Sequence, residues 1–155
     1  MRKILLAIIL LSSLSVFTAQ AQFMNKGALG IGGSASIDVD PFVLQLSPNA
    51  AYYIIDNLGV GGEVSLTAAD GYTSFGIGPF VRYYLNMGVF GQAGLQYVNS
   101  GDYGSSTRFG FGAGYSLFLN DAVAIEPIAS VGFGDGGVSF GIRVGVQAYL
   151  NRNSK

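Results

Sequence analysis

The side chains able to do chemistry are few, and they fall into two groups. Glu63, Arg82, Arg108, Glu126 and Arg143 stand singly inside apolar stretches, whereas Asp38, Asp40, Asp70, Asp102 and Asp135 sit in turn-like phrases beside Gly, Pro, Val or Tyr. The first group suits ion pairing in a protein interior or the lining of a charged channel. The second offers hard oxygen ligands of the kind that hold a divalent cation. Neither group suits catalysis. The chain has no His and no Cys, so it lacks the usual proton shuttle near neutral pH and any thiolate nucleophile. Ser and Asp alone do not complete a nucleophilic triad. Gly30-Ile31-Gly32-Gly33, Gly59-Val60-Gly61-Gly62 and Gly110-Phe111-Gly112-Ala113-Gly114 look like phosphate cradles, but such a loop must open a helix, and no helical periodicity follows them. The expectation is no catalytic residue, no cofactor and no resident metal.

Composition says what must carry these residues. Only 11% of the chain is charged, against about a quarter in ordinary soluble proteins. Beyond the N-terminus, no apolar run approaches the roughly 18 residues that a membrane helix needs. A chain this apolar without spanning helices points to a closed β-barrel, the other way to satisfy every backbone group in lipid. Net charge near zero gives no electrostatic case for nucleic acid.

The N-terminus has three parts: Arg2 and Lys3, the apolar run Ile4–Leu11, and the small-residue phrase Thr18-Ala19-Gln20-Ala21. This is the pattern of a cleavable secretory signal peptide. Residues 1–21 are therefore read as a leader and 22–155 as a single barrel domain.

Within that domain Tyr53-Ile54-Ile55-Asp56, Tyr84-Leu85-Asn86, Phe118-Leu119-Asn120 and Tyr149-Leu150-Asn151 close four similar units, with Ile55, Leu85, Leu119 and Leu150 spaced 30, 34 and 31 residues apart. Each unit is long enough for two membrane strands of about 10 residues and their turns, which predicts eight strands. They are placed near Gly27–Asp38, Phe42–Ile54, Leu58–Ala68, Thr73–Leu85, Val89–Val98, Thr107–Leu119, Val123–Phe133 and Gly137–Leu150. The last strand shows the pattern best. Val138, Phe140, Ile142, Val144, Val146, Ala148 and Leu150 alternate with Ser139, Gly141, Arg143, Gly145, Gln147 and Tyr149, and successive Cβ atoms of a strand point to opposite faces.

Alternation turns Gln45, Asn49, Glu63, Arg82, Gln92, Gln96, Arg108, Glu126, Arg143 and Gln147 inward, along with Tyr53, Phe80, Tyr84, Phe118 and Tyr149. An eight-stranded barrel has just room for side chains to fill it, so this set predicts a packed polar plug, with Glu126 and Arg143 close enough to pair across the last hairpin. Two-residue turns at Asp70-Gly71 and Asp135-Gly136 would place Leu66 opposite Phe75 and Phe133 opposite Val138. Three-residue turns at 55–57, 86–88 and 120–122 would place Ile54 opposite Leu58, Leu85 opposite Val89 and Leu119 opposite Val123. Tyr52, Tyr53, Tyr83, Tyr84 and Tyr149 collect at that end as an aromatic girdle. Pro48, Pro79 and Pro127 interrupt strands, which suggests bulges. Asn99–Thr107 is read as the longest loop, with Tyr103 amid Ser and Gly, a composition that serves partner binding or simple solvation.

The phrase Gly78-Pro79-Phe80-Val81-Arg82-Tyr83-Tyr84-Leu85 and the closing run Arg143-Val144-Gly145-Val146-Gln147-Ala148-Tyr149-Leu150 are similar to those of small outer-membrane β-barrel proteins of the OmpA/OmpX type, barrel-only members often called porin-family proteins. The resemblance covers residues 22–155. It implies an eight-stranded antiparallel up-and-down transmembrane barrel in the cell outer membrane of a Gram-negative envelope, monomeric, handled by the barrel-insertion machinery and surrounded by outer-membrane lipid and lipopolysaccharide. It implies a structural, envelope-integrity role, with surface interaction through short extracellular loops as an addition and a narrow pore for ions or small solutes as the alternative. In that setting the loop acids would face outward, where a cation could bridge them to lipopolysaccharide; ordinary turn formation explains them equally. A soluble lipocalin-like barrel would reverse the observed faces, with polar residues outside.

Overall fold

A computed structural model describes residues 24–39, 42–135 and 137–152; the leader assigned to residues 1–21, and Asp40, lie outside the described residues. The chain runs β1 (Leu29–Val39), β2 (Phe42–Ile55), β3 (Leu58–Ala69), β4 (Tyr72–Tyr84), β5 (Val89–Asn99), β6 (Ser105–Tyr115), β7 (Leu117–Phe118), β8 (Val123–Gly134) and β9 (Gly137–Leu150). Here β6 and β7 are one stave broken at Ser116, since both pair with β8. Each stave pairs antiparallel with the next, and β9 returns to pair with β1. The result is a closed eight-stranded antiparallel barrel.

Turn chemistry sets the register much as alternation requires. Leu66 faces Phe75 across the Asp70-Gly71 turn, and Phe133 faces Val138. The tight turn at Gly71 needs its positive φ of 80°, which glycine adopts without a Cβ clash. At the opposite end the Leu85 N–H donates to the Val89 carbonyl at 2.7 Å, and the Leu119 N–H to the Val123 carbonyl at 2.8 Å, around a 3-10 turn at Asn86–Gly88 in the first case. The β2–β3 turn departs from expectation. Ile55, not Ile54, pairs with Leu58, and the register shifts between Tyr53 and Ile55. Ile54 is the extra residue of a bulge, and Asn57 with φ 66° completes a two-residue turn.

The prolines also differ from expectation. The β2–β3 register reads Leu46 with Leu66 and resumes at Asn49 with Glu63, and that of β4–β5 reads Ile77 with Tyr97 and resumes at Phe80 with Gly94. Pairing lapses beside Pro48 and Pro79 without any shift, so each proline removes rungs rather than adding a bulge. The segment expected to be the longest loop is shorter than that: Asn99 pairs with Ser105, and the ladder continues through Val98 with Ser106 and Tyr97 with Thr107. What remains is a short turn tied by Ser100 N–H to Gly104 O at 2.9 Å and Gly101 N–H to Asn99 Oδ1 at 2.9 Å.

The outer surface is a belt of exposed large apolar side chains, among them Ile31, Leu46, Leu66, Ile77, Val81, Leu95, Phe111, Val144 and Val146. The tyrosines expected to form one girdle divide by parity. Tyr52 and Tyr83 are on the outside, while Tyr53, Tyr84 and Tyr149 are buried.

Candidate functional site

The barrel interior has two unlike halves. At the short-turn end Tyr53, Tyr84, Phe90 and Tyr149 pack with Met24, Ala28, Ala124 and Ile128. Glycines make room for the rings: a Cβ at Gly30 would lie 3.0 Å from Tyr149 Cε1, and one at Gly59 3.1 Å from Tyr53 Cε1. The end is capped by the segment before β1, where Met24 N–H donates to Asn57 Oδ1 at 3.0 Å and Asn57 N–H returns to the Met24 carbonyl at 2.8 Å. Arg152, just past β9, is buried with its guanidinium carbon 3.9 Å from the Phe118 ring centroid.

Glu126 is the centre of this half and is wholly buried. Its Oε2 accepts from Arg82 Nη1 at 2.8 Å. Its Oε1 lies 2.6 Å from Ser116 Oγ, 2.6 Å from Tyr149 Oη and 3.0 Å from Tyr84 Oη. Arg82, 3% exposed, also donates from Nη2 to Gln92 Oε1 at 2.9 Å and stacks 4.3 Å from the Phe90 centroid. A buried charge is tolerated only when paired and hydrogen-bonded, and this one is both.

Ser116 stands beside a lapse in pairing at Pro127. Pro127 pairs with Val144 on one side but has no N–H for the other. Pairing toward β8 stops at Gly114 with Ile128 and restarts at Leu117 with Ile125. In the gap Ser116 N–H donates to the Gly88 carbonyl at 2.9 Å, and its hydroxyl turns to Glu126. The roles of Ser116, Tyr84 and Tyr149 at Glu126 were missed by sequence reasoning, although the parity of 108, 110, 112 and 114 already assigned position 116 to the inner face.

The other half is open. A cavity of about 880 Å³ is lined by Gln45, Glu63, Gln92, Gln96, Arg108 and Arg143, with glycines between them. At its floor Arg143 Nη1 is 3.4 Å from Glu63 Oε1, and Gln147 donates to Asn49 Oδ1 at 2.6 Å. The Glu126–Arg143 pairing expected from the last hairpin does not form. In a narrow barrel opposite staves lie within side-chain reach, so Glu126 pairs across the lumen with Arg82, and Arg143 with Glu63. Arg108 is exposed and has no ion-pair or hydrogen-bond partner among the described residues.

The loop acids stay apart. Asp70, Asp102 and Asp135 are exposed in separate turns, and no group of three or more metal-ligating side chains occurs among the described residues. Asp38 is in β1 and Asp40 is outside the described residues.

The chain matches no protein-family model, and no curated protein is similar to it in sequence. Solved structures share its fold at low identity. The N-terminal β-barrel domain of Pseudomonas aeruginosa OprF is 14% identical with a TM-score of 0.66, the match covering 81% of this chain and 98% of that one. Neisserial surface protein A is 14% identical at a TM-score of 0.55, covering 78% and 93%. A de novo designed transmembrane β-barrel is 13% identical at 0.56, covering 81% and 98%. This chain is thus similar in fold to outer-membrane and designed transmembrane barrels.

Proposed function

We propose that the protein is an exported, monomeric outer-membrane barrel with a structural role in the envelope, closed to ion flow by the Glu126 cluster. The exposed apolar belt supports membrane insertion, because a closed barrel leaves no strand edge to satisfy in lipid over its paired length. The observation that carries the closed reading is the burial of Arg82, Glu126, Tyr53, Tyr84 and Tyr149 across one end of the lumen. Absence of His leaves the interior without a proton shuttle for the hydrolytic chemistries, which supports a non-enzymatic role. Lipopolysaccharide and the insertion machinery are the partners that the outer-membrane setting supplies.

Conductance of the refolded chain in planar bilayers tests this reading. The expected trace is silent. Steady discrete openings in the unaltered chain would replace it with the narrow-pore reading, for which the open polar half of the lumen is the supporting observation.

A further inference from the structure

The barrel closes over only part of its height. β1 pairs with β9 from Leu29 with Leu150 to Ala35 with Val144, and there the ladder ends. Beyond it Ser36–Val39 still pair with β2, and Gly137–Arg143 still pair with β8. Both staves therefore continue toward the open end with one edge unpaired along a common seam. Exposure follows the gap. Phe140 and Ile142 are 84% and 80% exposed, and Ile37 is 62% exposed. Side chains on fully paired staves are partly covered by neighbours on both sides; these three lack one neighbour.

The seam opens into the cavity, because Ser36 and Ile37 on one lip and Ser139–Arg143 on the other are all among its lining residues. Ile37, Phe140 and Ile142 make the lips apolar on the outside. Inside, the cavity holds Arg108 and Arg143, with Glu63 the one carboxylate among the described residues that line it. Its volume lies within the range of small-molecule pockets. An aqueous opening needs no apolar lip, and a pocket for a whole alkyl chain would not be lined by Gln and Arg. The two surfaces together fit a molecule with an anionic head inside and an alkyl chain outside.

We propose that the unpaired upper seam between β1 and β9 is a lateral portal through which a carboxylate-headed single-chain amphiphile, drawn from the surrounding lipid, places its head on Arg108 while its chain stays against Ile37, Phe140 and Ile142. This rests on the membrane-embedded reading above. Unpaired backbone N–H groups at the lips are costly facing hydrocarbon. Arg108 has no partner among the described residues and gains one on binding.

The test is titration of dansyl-undecanoic acid into phosphatidylcholine vesicles holding the refolded full chain, read by dansyl fluorescence. Insertion is checked first and separately by co-flotation and heat-shifted gel migration, so that failure of the membrane reading is distinguishable from failure of the portal. Saturable binding is expected, with roughly tenfold or greater weakening for Arg108→Gln and for the probe ending in an alcohol, as for loss of a charged hydrogen bond. The chain has no native Cys, so an Ile37→Cys/Ile142→Cys disulfide across the seam should abolish binding and dithiothreitol should restore it. Where that disulfide does not form, Gly141→Trp blocks the same gap, since a side chain there meets only Ser130 Oγ, 3.4 Å from the Cβ position. Binding that survives both closures, that is equal for the alcohol probe, or that acetate displaces as well as unlabelled undecanoate would overturn the portal. So would the absence of saturable binding in the inserted barrel.

Discussion

The two halves of the lumen are built from the same staves with opposite strategies. The short-turn half is dense with rings and one buried ion pair, its glycines pressed against aromatic faces. The open half has charges of the same types around a cavity. Gly114 and Gly141 show the contrast in one residue type. A Cβ at Gly114 would lie 2.5 Å from Phe90 Cζ and 2.8 Å from the Pro127 carbonyl, whereas one at Gly141 meets a single hydroxyl at 3.4 Å. What differs is the side chain on the adjacent stave: Phe90 stands directly opposite Gly114, and Ser130 opposite Gly141.

Stability measurements should separate the halves, and the largest effect belongs to the buried pair. Glu126→Ala leaves the buried Arg82 without its counter-charge and should cost about 3–5 kcal/mol, read as a fall in the urea midpoint of the detergent-refolded barrel. The double change Arg82→Met/Glu126→Leu should recover most of that loss, because an apolar pair of similar volume often replaces a buried ion pair without penalty. Failure to recover would mean that the phenols, not the pair, hold this end. Next comes Gly114→Val, which forces Phe90 aside and should cost about 1–3 kcal/mol, while Gly141→Ala should stay within about 0.5 kcal/mol of the unaltered chain. A comparable loss at both would erase the distinction between packed and open halves. Tyr84→Phe removes one hydroxyl from the Glu126 cluster and should cost about 1–2 kcal/mol by the same assay. A small effect is expected in the cavity: Arg143→Gln breaks a half-buried pair at 3.4 Å and should cost no more than about 1 kcal/mol.

Alternation and turn residues made the staves, their faces and most of their registers readable. Asp70-Gly71 fixes one turn, and from it Leu66 opposite Phe75 follows with no choice left. The interior partnerships were not readable, for a geometric reason. Period-two patterning says that Glu126 points inward, but not which stave faces it across the lumen, so the nearby Arg143 looked like its partner when Arg82 is. Nor does a proline announce its effect. Pro127 looked like a site for a bulge, whereas the ladder to the neighbouring stave lapses beside it with no register shift. The bulge that does occur, at Ile54, lies in a phrase of ordinary strand formers. The unpaired seam left no mark in sequence at all, since Val138, Phe140 and Ile142 alternate as regularly as the paired residues below them.

Of the donors to Glu126, Ser116 and Tyr149 are on the staves beside β8, whereas Arg82 and Tyr84 on β4 are 44 and 42 residues away in sequence and meet it only across the lumen. An incomplete sheet leaves the carboxylate without its counter-charge. Contacts of such long sequence separation form late and slowly. The cluster therefore works as an assembly latch: it favours only the finished ring, and partly closed forms gain little from it. Glu126→Ala should then speed unfolding more than it slows refolding, as expected for contacts absent from the transition state.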